Sequence, residues 1–197
     1  MHKIIIASNN PGKLRELQLT LASLPIEILT QAQLGIEEAE EPHCTFIENA
    51  LAKARQVSRI SGLPALADDS GICVAALNGA PGVQSARYAG DPKSDSRNNE
   101  KLLQSMKGMT DRRAHYYCVL VLVRHADDPQ PLIAEGEWHG EIAQQMLGEE
   151  GFGYDPLFWL PQLNKMSAEL SRDDKAQISH RAQALDILLQ KLRLEEP

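Results

Sequence analysis

The sequence predicts an α/β fold built on a mixed β-sheet, and two observations carry that prediction. Strand-like and helix-like segments alternate from Lys3 to Asp69, the pattern of parallel strands joined by crossover helices. Two long strand-like segments then follow one another between Arg113 and Trp138, as a hairpin does.

Lys3–Ser8, short and rich in Ile, reads as a buried strand. It runs through Asn9-Asn10-Pro11-Gly12 into a helix whose Leu14, Leu17, Leu21 and Leu24 recur in steps of three and four, one stripe on a helix. Pro25 ends that helix, and residues 26–30 read as a second strand. Residues 31–43 are a loop carrying Glu37, Glu38, Glu40 and Glu41. Thr45 followed three residues later by Glu48 has the form of a capping box. The helix it opens is expected to bury Ile47, Ala50, Leu51 and Ala54 and to stop near Gly62 and Pro64. Residues 65–68 read as a third strand ending in the carboxylates Asp68-Asp69. Asn78-Gly79 and Pro81-Gly82 mark turns. A helix over 94–106, strands over 113–124 and 132–138 joined at Asp127-Asp128-Pro129, and a closing helix from about Ser179 complete the chain. That last helix carries Ala182, Leu185, Leu189 and Leu192.

At about 150 residues per domain, the 197-residue chain is expected to form one domain, 1–197. Hydrophobic residues at 43% and charged residues at 24% exclude wholesale disorder. The net charge of −7 disfavours binding to nucleic acid, whose phosphates it repels. A small polyphosphate held with a divalent cation remains open, because the cation reverses the local sign. Cys44, Cys73 and Cys118 include no C-x-x-C pair, which argues against a disulfide framework and a structural zinc site. The apolar run Ile4–Ala7 is too short for a signal-peptide core, and the eight residues 116–123 are too short to span a bilayer as a helix. A cytoplasmic protein with no membrane partner is the expectation.

Several segments hold candidate chemistry. Ser8-Asn9-Asn10-Pro11-Gly12-Lys13 lies between a strand and a helix, where outward-pointing N–H groups attract phosphate and Lys13 can reach the anion. It lacks the first Gly and the Ser/Thr of a Walker A loop, and by itself reads equally as an ordinary turn with Lys13 in solvent. Asp68-Asp69-Ser70-Gly71 follows a strand, where open α/β sheets bind ligands. Its carboxylates suit Mg²⁺, or one of them can deprotonate an attacking water; a polar turn is the plain alternative. Glu40 and Glu41 precede the capped helix and can swing onto the same cation, or form a solvated face with their neighbours. Lys53 follows on that helix, where by itself it reads as a solvated lysine. In Gly151-Phe152-Gly153-Tyr154-Asp155-Pro156, Phe152 can stack on a base while exposed backbone groups read its edge, or else sit in a core. Lys175 and Ser179-His180-Arg181 place basic groups at the start of the last helix, where the macrodipole opposes them unless an acceptor-rich partner is present. The fork of Arg181 matches a purine O6/N7 edge.

Taken in order, these segments resemble the inosine triphosphate pyrophosphatase family from about Lys3 to Leu192. The resemblance also rests on Thr45-Phe46-Ile47-Glu48-Asn49-Ala50, Gly79-Ala80-Pro81-Gly82 and Ser179-His180-Arg181. It implies an elongated mixed sheet flanked by helices, with two lobes around a central substrate cleft, in a homodimer that depends on Mg²⁺. The activity implied is hydrolysis of dITP, ITP and XTP to the monophosphate and pyrophosphate, which clears deaminated purines from the nucleotide pool. On that resemblance Ser8, Asn9, Asn10, Pro11, Gly12 and Lys13 hold the triphosphate, Asp69 is the catalytic base and Lys53 faces the phosphates. The metal lies near Asp68, Asp69, Glu40 and Glu41. Ser70 contacts substrate, while Phe152, Gly153, Tyr154, Asp155, Lys175, His180 and Arg181 hold base and sugar. The family's phosphate turn usually reads Thr-Gly-Asn, where this chain has Ser8-Asn9-Asn10; Asn tolerates left-handed backbone, so the turn is expected to survive. A module that senses a purine triphosphate without cleaving it is the alternative reading, and it has no need of Asp68-Asp69.

Overall fold

The structure is a computed structural model that describes residues 2–22, 24–148 and 151–194. In chain order the elements are β1 (Lys3–Ile6), α1 (Pro11–Leu21), β2 (Glu27–Thr30), α2 (Phe46–Ser61), β3 (Ala65–Val74) and α3 (Asp95–Ser105). They continue with β4 (Arg113–Val123), β5 (Leu132–Ile142), β6 (Phe158–Leu160), β7 (Lys165–Met166), α4 (Arg172–Ile178) and α5 (His180–Leu194). The strands form one seven-stranded sheet in the order β2-β1-β3-β4-β5-β6-β7. It is mixed, as expected: β1 runs parallel to β2 and β3, whereas β5–β6 and β6–β7 are antiparallel.

The chain divides into two compact units, the first made of Met1–Asp69, Cys118–Glu135 and Gln183–Pro197, the second of Ser70–Tyr117 and Gly136–Ala182. The core of the first gathers Ile4 and Ile6 of β1, Leu17 and Leu21 of α1, Leu120 and Leu122 of β4, and Ala184, Leu185, Leu188 and Leu192 of α5. The core of the second is more aromatic, with Tyr116, Trp138, Tyr154 and Phe158 packed beside Ile72, Val74, Leu102 and Ile142. Each residue set lines one face of its element at the helical or strand period.

The structure departs from the sequence reading in places that bear on function. β3 does not end at Asp68-Asp69 but runs on to Val74, so both carboxylates lie inside a strand. On α2, Ile47 is exposed, and the buried stripe is Asn49, Ala50, Lys53, Ala54, Val57 and Ser58. Apolar periodicity misses such a face, because three of its positions, Asn49, Lys53 and Ser58, are polar. Thr45 caps α2 by accepting from Glu48 N–H at 3.3 Å, but Glu48 takes the Thr45 hydroxyl at 2.6 Å instead of reaching back to the backbone. The turn between β4 and β5 is closed by Asp128, which accepts from the N–H groups of Arg124 and Gln130, each at 2.9 Å. α4 precedes α5 as a separate helix capped by Ser171, and on α5 it is Leu188 that is fully buried while Leu189 is only partly covered.

Candidate active site

In the first unit the sheet order itself makes a site. The chain steps from β1 outward to β2, then back past β1 to β3. Two crossovers of one hand running in opposite directions place α1 and α2 on opposite faces of the sheet. Residues beyond the carboxyl end of β1, and Asp68 and Asp69 of β3 beside them, are then flanked by both helices, near the usual location of a ligand in an open α/β sheet. Successive side chains of a strand point to opposite faces, so the adjacent carboxylates of β3 reach different helices. Asp68 meets Lys13 of α1, Oδ2 to Nζ at 2.9 Å. Asp69 meets Lys53 of α2, Oδ1 to Nζ at 3.3 Å, and Lys53 also pairs with Glu41 at 2.6 Å.

All of this is desolvated: Asp68 is 1% exposed, Asp69 7% and Lys53 6%. Burial, with the carboxylates of Glu41 and Asp68, holds Asp69 above its ordinary range although Lys53 and Lys13 pull it down. Lys53 is pushed up: burial is the largest single influence and lowers it, but Asp69, Asp68 and Glu41 together outweigh it. Asn49, one turn before Lys53 on the same buried face, donates to Asp69 Oδ2 at 3.4 Å and ties down His43 through its backbone N–H and C=O. The sequence reading assigned Asn49 no role; the signal was a polar residue on the buried stripe of α2.

The expected four-carboxylate metal group is only partly assembled. Glu41 and Asp69 share Lys53, Asp68 is held by Lys13, and Glu40 is exposed with no ion pair among the described residues. Among the described residues no three His, Cys, Asp or Glu side chains converge on one metal position. That suits Mg²⁺, which keeps several waters and takes one or two protein carboxylates in place of a full cage. Buried carboxylate oxygens are the hard donors it prefers, and Asp69, held above its ordinary range by burial first and then by Glu41 and Asp68, is one of them.

The phosphate turn also differs from expectation. Asn10 caps α1, and its Oδ1 accepts from the N–H groups of Gly12 at 3.0 Å and Lys13 at 3.1 Å. Pro11 has no N–H to offer. The helix N-terminus is therefore satisfied internally: what the turn presents are the Asn10 NH₂ group and the Lys13 ammonium, while Ser8 is 7% exposed and its Oγ accepts from Asn10 N–H at 3.2 Å. Gly12 lies where a Cβ would come within 3.3 Å of the Asn10 cap. Neither Asn9 nor Asn10 has positive φ, so replacing the family's glycine at residue 9 requires no left-handed backbone. Asn9 is exposed.

The second unit gathers the other candidates around Asp155, which is 1% exposed. Its Oδ2 accepts from Phe152 N–H at 2.9 Å and from Lys175 Nζ at 2.5 Å. Its Oδ1 accepts from Ser167 Oγ at 2.9 Å and, more weakly, from the Tyr116 hydroxyl at 3.5 Å. Both oxygens are thus committed to the protein, and Asp155 organises the loop instead of presenting itself to a ligand. A Cβ at Gly151 would collide with this carboxylate, so that glycine is required for close approach as well as for its positive φ. Tyr154 is likewise structural, buried with its hydroxyl on Ser85 C=O at 2.7 Å. The Gly153 N–H and C=O are engaged by Asp95 and Asn99, so the loop's backbone is not open for reading a base edge as expected. The loop exposes the Phe152 ring, 48% accessible, with Lys175 Nζ 4.9 Å from its centroid. His180 stacks on Tyr116 with rings inclined by 10° and centroids 4.8 Å apart. Arg181 is buried and donates to Ser70 Oγ at 3.1 Å. Sequence reasoning missed Tyr116, Ser167, Asp95 and Asn99, whose sequence neighbourhoods carry no motif.

Comparison with known proteins gives the family of the chain. The model of the Ham1 family matches residues 4–191. A dITP/XTP pyrophosphatase of Nitrosomonas europaea is 61% identical over 196 residues, covering 100% of this chain and 97% of that protein. The dITP/XTP pyrophosphatase of Ralstonia nicotianae is 62% identical, covering 100% and 99%. Among solved structures, a HAM1 protein from Coxiella burnetii superposes with a TM-score of 0.95 at 45% identity, covering 98% of this chain and 100% of that one. With its motifs, its sheet and these relatives in agreement over nearly its whole length, the chain belongs to the Ham1 family.

Proposed function

We propose that this chain hydrolyses the deaminated purine nucleoside triphosphates ITP, dITP and XTP to the monophosphate and pyrophosphate. The observation that carries the reading is the pair Asp68-Asp69 inside β3, each buried and each held by a lysine from a different helix. A sensing module would not need two buried carboxylates opposite two ammonium groups, whereas cleaving a phosphoric anhydride needs both a proton acceptor and charge neutralisation. Relatives that match the full chain at 61% and 62% identity are named dITP/XTP pyrophosphatases.

In this reading a water attacks the α-phosphorus and gives its proton to Asp69. The bond from the α-phosphorus to the bridging oxygen breaks, and pyrophosphate leaves. Lys53 and Asn49 fix the orientation of the Asp69 carboxylate. Lys13, Ser8 and Asn10 bind phosphate oxygens, with Lys13 released from Asp68 as it does so. Asp69 with Asp68 or Glu41 would hold Mg²⁺, which when bound would supply positive charge to offset the phosphate oxygens. Phe152 stacks on the purine, with Lys175, His180, Arg181 and Ser70 around base and sugar. A homodimer in the cytoplasm belongs to the same reading; no helix among the described residues is long and apolar enough to cross a membrane.

The test is a panel of ITP, dITP, XTP, GTP and ATP with Mg²⁺, resolving monophosphate plus pyrophosphate from diphosphate plus phosphate. Release of pyrophosphate from ITP and XTP well ahead of GTP and ATP is expected. Equal turnover of all five refutes the selectivity, and tight binding without product refutes catalysis in favour of sensing.

A further inference from the structure

We propose that Asp95 and Asn99, one turn apart on α3, are positioning residues that grip the backbone of Gly153 on both sides of its Cα and thereby aim the Phe152 ring at the purine. The inference rests on the reading of Phe152 as the base platform. Gly153 N–H donates to Asp95 Oδ2 at 2.7 Å, and Asn99 Nδ2 donates to Gly153 C=O at 2.7 Å. The same Asn99 amide also donates to the Asp95 backbone carbonyl at 2.8 Å, which binds the two gripping residues to each other. The backbone donor and the backbone acceptor of one residue, in the two successive peptides around Gly153, are therefore held from a helix 58 and 54 residues away in sequence.

The loop needs such a grip. Gly151 and Gly153 both have positive φ, at 88° and 62°, and flank a ring that is 48% exposed. Two glycines give the backbone wide freedom, and an exposed ring has little packing to fix it. Asp155 holds the N-terminal side of the ring through Phe152 N–H, and Asp95 with Asn99 holds the C-terminal side. The helix that grips is itself anchored: buried Asn98 accepts from Ala89 N–H at 2.7 Å and donates to the carbonyls of Ser85 and Ala86. A rigid helix thus transmits a fixed geometry to a hinge-like loop, which is what a positioning shell must do for a stacking group.

The experiment uses the full chain with Asp95→Ala, Asp95→Asn and Phe152→Ala, plus the double variant Asp95→Ala with Phe152→Ala. Amide exchange across residues 151–155 is expected to be about tenfold faster in Asp95→Ala, the effect of one lost hydrogen bond. In Asp95→Asn it should stay near wild type, because the Asn carbonyl oxygen still accepts from Gly153. The KM for ITP should rise about five- to tenfold in Asp95→Ala with kcat within about twofold, and Asp95→Asn should restore most of it. In the Phe152→Ala background, Asp95→Ala should add less than about twofold to KM, since the ring it aims is gone. Unchanged exchange, an unchanged KM, or the same KM rise with and without Phe152 overturns the proposal. Wild type that ignores ITP but turns over another purine triphosphate sinks the substrate reading alone, and the KM comparison is then made on that nucleotide.

Discussion

Asp155→Asn isolates the part played by one buried carboxylate in holding the second unit's loop. The substitution preserves shape and replaces one acceptor oxygen by an NH₂ donor. In the structure both oxygens of Asp155 face donors: Phe152 N–H and Lys175 Nζ on Oδ2, Ser167 Oγ on Oδ1. The amide can turn its NH₂ toward the hydroxyls of Ser167 and Tyr116, which can accept, and keep its oxygen on Phe152 N–H. It cannot restore the countercharge that Lys175, whose side chain is only 17% exposed, loses. Removing one partner of a buried pair costs about 3–5 kcal/mol, because the remaining charge is left uncompensated. A chain of this length has stability on the order of 10–15 kcal/mol, so the variant should remain folded. At roughly 2–4 °C per kcal/mol the expected fall in Tm is about 6–20 °C. The assay is urea unfolding of wild type, Asp155→Asn, Lys175→Met and the double variant. In the double variant the orphaned ammonium is gone, so it should be less destabilised than the sum of the singles. An Asp155→Asn protein within about 1 kcal/mol of wild type, or strictly additive singles, would show that Asp155 is not the organiser of this loop.

Two further outcomes follow from the first unit. Asp69→Asn should leave the fold intact and lower turnover of ITP by at least about 10²-fold, the usual contribution of a positioned base, while near-normal turnover measured by pyrophosphate release removes Asp69 from that role. Asp128→Asn tests the turn between β4 and β5 through its pH dependence. Burial raises the Asp128 carboxyl, but the N–H groups of Arg124 and Gln130 and the Arg124 guanidinium outweigh it and hold the folded value below the ordinary one. A depressed folded value means stability that is present above the unfolded value near pH 4 and lost as pH falls through the folded value. Wild type should accordingly exceed Asp128→Asn in urea stability at pH 7, with the gap closing below about pH 4; a gap independent of pH contradicts the assignment.

Some of this was legible without coordinates. The strands and helices up to Asp69 could be placed because apolar residues recur at the periods of the elements they form, and the N-cap at Thr45 sits beside the helix it opens. Failures fell where polar residues occupy buried positions. Asn49 and Lys53 interrupt the apolar stripe of α2, and Asp68-Asp69 look like a strand end although the strand continues to Val74. Periodicity assumes that what is buried is apolar, and a site that buries charge on purpose breaks that assumption.

By itself, then, the sequence determined the α/β class, most element positions, the absence of a nucleic-acid charge pattern, and the family to which the ordered motifs belong. These depend on short-range periodicity and on residue types, both of which are present in the chain before it folds. The tertiary structure decided which carboxylate meets which lysine, because that depends on the reversal of strand order that puts α1 and α2 on opposite faces. It also decided that Asn10 satisfies the α1 terminus, that Asp155 serves the loop and not a ligand, and that Asp95 and Asn99 hold Gly153 from far along the chain. A hydrogen bond between residues 58 apart leaves no mark on local spacing; it exists only once the backbone has closed the distance.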